Sequence, residues 1–589
     1  MDQSPFGSLP DELLEAIIFH LPPIDTLAFA ATCRRSGKIA HEPLVWRRHC
    51  ISEYRYWQPR HENKEKLRLP PTQTKWRQLF NERKRTDTEA MTIFEELLET
   101  QQARYERMEK IAAMGYDVKD LMLSIVDETP DEAEDVLARR YHANAILGTI
   151  HRRTAVEKWA RLQRQQMVRL EEVLGAYDLF VLSGRRGDLS DIDREFDRIA
   201  ESIRQRDPDW DDLSIRRKAS QIAKWLRSEK LVGNPSEEDY HALRNNFISI
   251  ALFEEPHTSL PLQSVAIYCA VARRLGVNAK PSNYPHHVHA VIEAPPHVSL
   301  DGKARGPDYP PRDGRPPDET EVMHMDPWRS SSELSHSDLV TRLVNMGIPS
   351  THHAHCLAAT SNLEIALRTG RNVMNSVQEA RDRLRGFTRR QPYPDIEAAW
   401  YSMLWSMFVL GESSAASALH RRRQILPYLI EHYQAHFPED LGLIESIVPP
   451  MLEGEREHHR PPSYRPKREE MPIWTAPGQR GVACKIGMHF KHKRYRYSGM
   501  IVGWDTRCGA EPAWIEQMRV DDLPRGREQP FYNVVADDKS MRYVAEENIV
   551  EVNERPDDVL MSVAGRYFKR WDETRGRFVS NMKDEYPDD

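Results

Sequence analysis

Residues 8–23 read SLPDELLEAIIFHLPP and predict a short amphipathic helix. The hydroxyl of Ser8 can cap the helix, Pro10 is tolerated in its first turn, and the Asp11 carboxylate suits the positive end of the helix dipole. Apolar residues recur at helical spacing until two prolines end the helix: Leu13, Leu14, Ile17, Ile18 and Leu21.

Two further short helices are predicted to complete this N-terminal module. One begins at Asp25, and the other ends in PLVW, residues 43–46. A module of about fifty residues buries little core by itself, so we expect it to place apolar side chains against a partner protein.

The motifs of this module resemble an F-box. They are LPDELL at residues 9–14, CRR at 33–35 and LVW at 44–46, while Ser36 stands where the family usually has tryptophan. The resemblance implies docking onto Skp1, which a cullin and a RING subunit hold in turn. The residues implied for Skp1 binding are Leu9, Pro10, Leu13, Leu14, Ile17, Ile18, Leu21, Leu27 and Trp46.

The whole chain is long enough for several domains. It has 589 residues, of which 40% are hydrophobic and 29% charged, and its net charge of -7 gives no general attraction to nucleic acid. Six scattered cysteines without a C-x-x-C pair favour neither a zinc module nor a disulfide framework. We expect no targeting segment and no membrane span, and we place the protein in the cytoplasm, the nucleus or both.

The middle of the chain contains a motif order with chemical meaning. Residues 259–276 predict a helix that Pro261 opens, and residues 288–293 predict a strand that His287 precedes. Asp326 follows a polar, proline-rich insertion. This order is similar to the transglutaminase-like core of the SirB1 type.

Enzymes of that family carry a cysteine thiolate at the N-terminus of this helix, where the helix dipole lowers its pKa, and a histidine and an aspartate activate it. Here Pro261 occupies that position. Cys269 lies two turns further along the apolar face, which is typical of an inert core thiol. We therefore expect no catalytic residue, with His287 and Asp326 as the remnants of a triad.

Other chemistries stay open in this region. Ser259, Ser264 and Cys356 are rival nucleophiles, and any of them would make the chain a transglutaminase-like or protease-like acyl transferase. The histidine-rich runs 286–289 and 352–355 could bind a metal, but neither has a clear carboxylate partner at i, i+4 spacing. We expect no metal site and no cofactor.

A change of composition separates the C-terminal region from the rest. The proline-rich, polar segment 449–480 predicts a linker. Residues 497–504, 530–536 and 541–545 then predict strands, with a turn at 537–539, and together they favour a small β-barrel.

The motifs of this region resemble a YccV/HspQ-type domain, whose bacterial members are associated with hemimethylated DNA or with delivering clients to proteolysis. The second association favours a protein-binding domain, with Trp504, Phe531 and Tyr532 as candidate client contacts. The basic and aromatic run 491–497 leaves DNA binding open, although nearby aspartates dilute its positive field. The motifs are FKHKRYRYSG (490–499), VGWD (502–505), QPFYNV (529–534) and RYVAEEN (542–548).

The order of the three modules resembles that of the F-box only protein 21-like family. The predicted fold class is multidomain α+β: an N-terminal helical F-box, a helical linker, a papain/transglutaminase-like α+β domain and a small C-terminal β-barrel. The predicted boundaries are 4–50 for the F-box, 51–169 for the helical linker, 170–448 for the SirB1/transglutaminase-like domain, 449–480 for the proline-rich linker and 481–589 for the YccV/HspQ-like domain.

The function that the resemblance implies is substrate recognition in an SCF (Skp1–cullin–F-box) ubiquitin ligase, which directs client proteins to ubiquitination and proteasomal degradation. The expected partners are Skp1, the cullin and RING subunit through Skp1, and a client protein, with no nucleic acid and no membrane. The chain itself is then an adaptor and not an enzyme. The acyl-transferase and DNA-binding interpretations remain as alternatives.

Overall fold

The computed structural model describes residues 9–182, 187–233, 236, 239–304, 320–385, 393–411, 415–452, 482–582 and 586. The chain forms two compact units, the first from residues 1–150, 439–442 and 460–589, and the second from residues 151–438 and 443–459. Ser8, the predicted cap of the first helix, lies outside the described residues. Among the helices that the structure describes, none is long and apolar enough to cross a membrane.

The N-terminal part of the first unit is helical, as the sequence predicts. The second helix begins at Pro23 and not at Asp25, and two helices, 34–40 and 43–53, stand in place of the single third helix that the sequence predicts. The predicted first helix begins after Pro10, which takes the N-cap position. The helices are α1 (Asp11–Ile18), α2 (Pro23–Ala30), α3 (Arg34–Ala40), α4 (Pro43–Glu53), α5 (Asn63–Arg68), α6 (Trp76–Glu99), α7 (Arg104–Ala113), α8 (Lys119–Glu128) and the beginning of α9 (Val136–Gln163).

The small N-terminal bundle shares its core with α6. Leu14, Ile18 and Trp46 pack in one apolar cluster with Trp76 and Phe80 of α6, and the rings of Trp46 and Phe80 lie 5.3 Å apart in an edge-to-face arrangement. The segment predicted as a helical linker therefore supplies part of the core of the N-terminal module.

The second unit is built around an apolar helix and a small sheet. α14 is buried on all sides from Pro261 to Ala272, and Gly276, at φ +76°, ends the helical segment. The elements after α9 are α10 (Leu170–Val181), α11 (Leu189–Arg206), α12 (Ile215–Ser228), α13 (Ile248–Phe253), α14 (Pro261–Arg274), β1 (Asn278–Pro281), β2 (Ala290–Glu293), β3 (Val322–Met325), β4 (Glu333–Leu334), α15 (His336–Asn345), α16 (Ser350–Leu357), α17 (Asn362–Arg385), α18 (Ile396–Val409), α19 (Ala415–His436) and α20 (Leu441–Leu452).

The register of this sheet matters for the site. Its strands follow the order β1-β2-β3-β4 and are all antiparallel, and Ala290 of β2 pairs with Met325 of β3. His287, before β2, and Asp326, after β3, therefore lie at the same end of the sheet.

The segment predicted as a proline-rich linker, residues 449–480, begins inside a helix. α20 continues through Pro449 and Pro450 to Leu452, and residues 453–481 lie outside the described part.

The C-terminal region contains the predicted strands. Its sheet has the order β8-β7-β6-β5-β9, and within the described strands β8 and β9 at its two ends do not pair, so the expected small barrel is an open antiparallel sheet. The elements are β5 (His489–His492), β6 (Ser498–Asp505), α21 (Pro512–Gln517), β7 (Phe531–Ala536), β8 (Met541–Ala545), β9 (Ile549–Val552), α22 (Asp558–Ala564), β10 (Phe568–Asp572) and β11 (Arg577–Ser580).

Candidate functional site

The N-terminal helices expose several large aliphatic side chains to solvent. We call four of them, on α1 and α2, the exposed aliphatic set. Water-exposed aliphatic surface at helical spacing is what a helical docking module offers to a partner. The four members, with their exposed fractions, are Leu13 (51%), Ile17 (40%), Ile24 (75%) and Leu27 (41%).

The residues predicted to bind Skp1 divide into two groups. Leu13, Ile17 and Leu27 are in the exposed aliphatic set, Pro10 is exposed as well, and Leu9 and Leu21 are partly buried. The remaining three, Leu14, Ile18 and Trp46, are buried in the core that they share with α6, so they are not available to a partner.

Sequence reasoning missed Ile24, although it is the most exposed member of the set. It lies in the first turn of α2, directly after Pro22, the N-cap of this helix, and Pro23, its first residue. In the sequence, Ile24 stands between a proline pair and the acidic Asp25, where it has no obvious core partner. This position was the sequence feature that could have predicted its exposure.

The CRR motif has a structural role in the same module. The thiol of Cys33 caps α3 by accepting a hydrogen bond from the Ser36 amide, and the Ser36 hydroxyl is within 3.1 Å of the Cys33 sulfur. The Arg35 guanidinium donates to the Asp11 carboxylate at 2.7 Å and also to the Leu9 carbonyl. This arginine therefore links α3 to the start of α1.

In the second unit, the histidine and aspartate of the predicted triad remnant lie together. The Nε2 of His287 is 2.8 Å from an Oδ of Asp326. The Asp326 side chain is almost fully buried while His287 is partly exposed, and the ring of His287 meets Trp328 edge to face at 5.5 Å. The pair thus has a hydrogen bond suited to orienting an imidazole.

No cysteine accompanies this pair at the start of α14. Leu260 is the N-cap of α14 and Pro261 its first residue. Cys269 is buried in the main core of the unit, and burial raises the pKa of its thiol. A thiol that stays protonated is a poor nucleophile.

The rival nucleophiles have other surroundings. The hydroxyls of Ser259 and Ser264 are both buried and hydrogen-bond to each other at 2.6 Å. Cys356, on α16, packs against a separate apolar cluster that includes Tyr284 and Leu343. These contacts are structural, and none of them is the Ser–His or Cys–His hydrogen bond of an activated nucleophile.

A polar cleft of about 400 Å³ opens at the N-terminal end of α14. Leu260, Pro261 and Leu262 form one wall, and His286 and Val288 lie beside them. α17 also lines the cleft, and there the guanidinium groups of Arg368 and Arg371 donate to the Glu364 carboxylate at 3.2 and 2.9 Å. The lining residues from α17 are Glu364, Arg368, Arg371, Asn372, Asn375 and Ser376.

The predicted client contacts of the C-terminal region are mostly core residues. Trp504 and Tyr532 are buried in the core of the sheet, and the Tyr532 hydroxyl is 3.0 Å from the Cys484 amide, which donates to it. Phe531 is also buried but lines a cleft of about 700 Å³. Only Phe531 of the three therefore borders a space that a client could enter.

The rim of this C-terminal cleft is apolar and aromatic, with two arginines. Large exposed side chains stand around it, namely Tyr495, Met518 and Met541. The guanidinium of Arg542 lies over the ring of Tyr497 at 4.1 Å from its centroid. Sequence reasoning missed the two methionines, which line the same cleft as Phe531 only in the folded domain.

Three regions of the chain match known protein families. Residues 6–52 match the F-box-like family, residues 190–371 match the transglutaminase-like superfamily, and residues 482–575 match the family described as hemimethylated DNA-binding protein YccV like. The chain is thus a multidomain protein with an F-box-like region, a transglutaminase-like domain and a YccV-like domain.

The curated relatives that match this chain include F-box proteins. The chain is similar to F-box only protein 21 of Mus musculus and of Homo sapiens, each 28% identical over 363 residues, which is 60% of this chain and 52% of the relative. F-box only protein 21 of Pongo abelii is 27% identical over 368 residues, with the same coverage. The chain spans about half the length of the curated relatives it matches. No solved structure matches it.

Proposed function

We propose that this chain is the substrate-recognition subunit of an SCF ubiquitin ligase, which directs client proteins to ubiquitination and proteasomal degradation. The observation that carries the proposal is the exposed aliphatic set, which lies inside the F-box-like match. Burying aliphatic surface contributes about 0.8 kcal/mol per CH₂ group, so we expect these four side chains to be the main anchors of Skp1 binding. All six cysteines are free thiols, which suits a reducing cytoplasm or nucleus.

The contribution of such an adaptor to ubiquitin transfer is proximity. It holds a client lysine near a ubiquitin-charged conjugating enzyme and so turns a bimolecular aminolysis into an effectively intramolecular one. We infer that the transglutaminase-like domain performs no acyl transfer, because Pro261 stands at the first turn of α14 and Cys269 is buried. The domain then serves as a scaffold or binding surface.

Co-purification with Skp1 tests the first part of the proposal. Wild-type chain should retain Skp1 through gel filtration, and the double variant Leu13→Ala/Ile17→Ala should lose it. Val344→Ala is the matched control, because Val344 is an equally exposed aliphatic residue on α15 of the second unit. Retention of Skp1 by the double variant would contradict the assignment of the docking surface.

For client capture we propose the C-terminal cleft. Its exposed methionines can adapt to different apolar side chains. Arg494 and Arg542 line the same cleft. Because Arg542 is paired with Asp538, Arg494 is the cation that favours an acidic flank on the client. The client class is therefore a peptide segment with an apolar anchor next to acidic residues. Phe531 forms part of the cleft wall.

The variant Met518→Glu/Met541→Glu tests this cleft. The variant should still co-purify with Skp1. In cells that express it, the ubiquitinated-lysine peptides that depend on this protein should be less abundant than with wild type. Met167→Glu is the control, because Met167 is an almost fully exposed methionine outside the cleft. An unchanged set of ubiquitinated peptides in the double variant would exclude the cleft as the client site.

DNA binding through the C-terminal domain is a second candidate function, favoured by one observation. Lys491, Lys493, Arg494 and Arg496 are all exposed around the turn between β5 and β6, and Tyr495 is exposed beside them. A backbone-tracking site of this kind should give affinity for duplex DNA that falls steeply with salt. Affinity for DNA that stays weak and independent of salt would exclude it.

A further inference from the structure

One carboxylate and two imidazoles converge in the helical part of the second unit. Glu397 lies in the first turn of α18, and His432 and His436 are one turn apart near the end of α19. One Glu397 carboxylate oxygen is 3.8 Å from His432 Nδ1 and 3.8 Å from His436 Nε2. All three donor atoms lie within 4.8 Å of one another.

These separations are close to those of a metal site. With bonds of about 2.0–2.2 Å from a zinc ion to nitrogen and oxygen ligands, neighbouring ligands of a tetrahedral centre are roughly 3.3–3.6 Å apart. The two carboxylate–imidazole separations are within a few tenths of an ångström of this range, and the two imidazole nitrogens lie within 4.8 Å of each other. Rotation of side chains can close the remaining gaps, because Glu397 and His436 are each about one-third exposed. His432 is buried and provides the fixed point.

The ring of His432 is already oriented as a ligand. Its Nε2 lies 2.9 Å from the Glu397 backbone carbonyl, and because a carbonyl only accepts, Nε2 carries the proton. The lone pair of Nδ1 then faces the carboxylate. Metal-binding histidines generally donate their second ring N–H to a carbonyl or carboxylate in this way.

The charged neighbours determine how tightly an ion would bind. The Arg381 guanidinium donates to the same carboxylate oxygen at 2.7 Å, and the Asp395 carboxylate caps the start of α18. Arg381 is about one-third exposed and lies over the ring of Trp400. It can leave the carboxylate for solvent, so it competes with a cation without blocking the site.

We propose that Glu397, His432 and His436 form a binding site for a divalent transition-metal ion of the zinc class. Two imidazoles select zinc, cobalt, nickel or copper over magnesium and calcium, which prefer all-oxygen sites. Three protein ligands leave one coordination position for water or for a donor from a partner. The ion joins α18 to α19, so it stabilises the fold of this unit. None of the three residues belongs to the exposed aliphatic set or lines the clefts described above.

The sequence alone predicts no metal site, because the histidine-rich runs 286–289 and 352–355 have no clear carboxylate partner at i, i+4 spacing. The i, i+4 pair His432 and His436 was visible in the sequence, but its carboxylate is 35 residues earlier along the chain. Only the packing of α18 against α19 brings the three side chains together.

The test uses tag-free, full-length protein stripped with a chelator and titrated with Co²⁺ and Zn²⁺ alone. Wild type should bind one equivalent at this site, with the visible absorption of four- or five-coordinate Co²⁺ and a rise in the thermal unfolding midpoint with Zn²⁺ but not with Mg²⁺. Glu397→Gln and His436→Ala should each lose at least about tenfold in affinity. Arg381→Gln, which removes the competitor, should bind several-fold more tightly.

The control is His420→Ala, on the same helix, whose exposed imidazole pairs with Gln424; it should match wild type. Metal-free unfolding midpoints show whether each variant is folded, and Glu397→Gln, which keeps the shape of the side chain, protects the test if His436→Ala is unstable. The proposal is overturned if wild type binds no stoichiometric ion, if folded Glu397→Gln and His436→Ala bind as wild type does, or if Arg381→Gln binds more weakly.

Discussion

Two isoleucines of the N-terminal module should respond in opposite ways to the same substitution. Ile18 is fully buried in the core shared with α6, whereas Ile24 is 75% exposed on α2. Changing isoleucine to alanine removes about three methyl or methylene groups, or about 2.4 kcal/mol of burial when the side chain is fully enclosed.

Ile18→Ala loses the full burial energy and also leaves a cavity, which costs further stability. The unfolding free energy of the module should therefore fall by about 2–5 kcal/mol. For Ile24→Ala only about a quarter of the side chain is buried in the free protein, which predicts a loss of about 0.6 kcal/mol. The remaining three quarters, about 1.8 kcal/mol, becomes available when Skp1 covers the residue, and this corresponds to roughly 20-fold weaker binding.

Two assays separate these effects. Hydrogen–deuterium exchange of peptides from residues 11–53 reports local opening, and calorimetric titration with purified Skp1 reports affinity. Ile18→Ala should accelerate exchange across α1 and α4. Ile24→Ala should leave exchange nearly unchanged but should lower the affinity for Skp1. If Ile24→Ala binds Skp1 as wild type does, the exposed aliphatic set is not the docking surface; if Ile18→Ala exchanges as wild type does, the core assignment fails.

Three further predictions address the rest of the chain. In a thiol-labelling time course at neutral pH, exposed Cys33, whose hydrogen bonds from Ser36 lower its pKa, should react early and buried Cys269 only after unfolding; selective early labelling of Cys269 would support an enzyme instead. Burial raises the pKa of Asp178 to about 7, although the Ser249 amide donates to its carboxylate. The folded state therefore holds a proton that the unfolded chain, with a pKa of about 3.9, releases, and stability should fall as pH rises from about 4 to 7. Asp178→Asn should remove this fall, so thermal midpoints of the two proteins that stay parallel from pH 5 to 7.5 would contradict it. In Gly565→Ala the added Cβ would stand 2.0 Å from the Leu137 carbonyl oxygen, so denaturant unfolding should show a loss of about 1–3 kcal/mol from overpacking, and a stability equal to wild type would refute this close contact.

The sequence determined the identity and order of the modules. Short motifs carried this information: LPDELL before a proline pair, a proline-opened apolar helix followed by His287 and Asp326, and the strands after residue 482. Each signal is local, because helix starts, turns and alternating strands depend on residues within a few positions of one another. The start of α1, the extent of α14 and the strand bounds of β6 to β8 follow from such patterns. α1 ends at Ile18, before Leu21 and the proline pair that the spacing predicts as its end.

Which apolar residues face a partner was decided only by tertiary structure. α1 is apolar on more than one face, so spacing alone does not tell Ile17 from Ile18. The outcome depends on Trp76 and Phe80, which approach from α6 and bury one face while the other stays in water. Tertiary packing likewise decides that Phe531, and not Trp504 or Tyr532, borders the C-terminal cleft.

Contacts between distant residues were likewise beyond the sequence. Glu397 meets His432 and His436 because α18 and α19 pack together, and Gly565 is small because it touches the backbone of α9 more than 400 residues earlier. Such contacts leave no local pattern, since each partner alone is an ordinary residue on an ordinary helix. These contacts form only when distant helices pack together, so they are seen only in the folded structure.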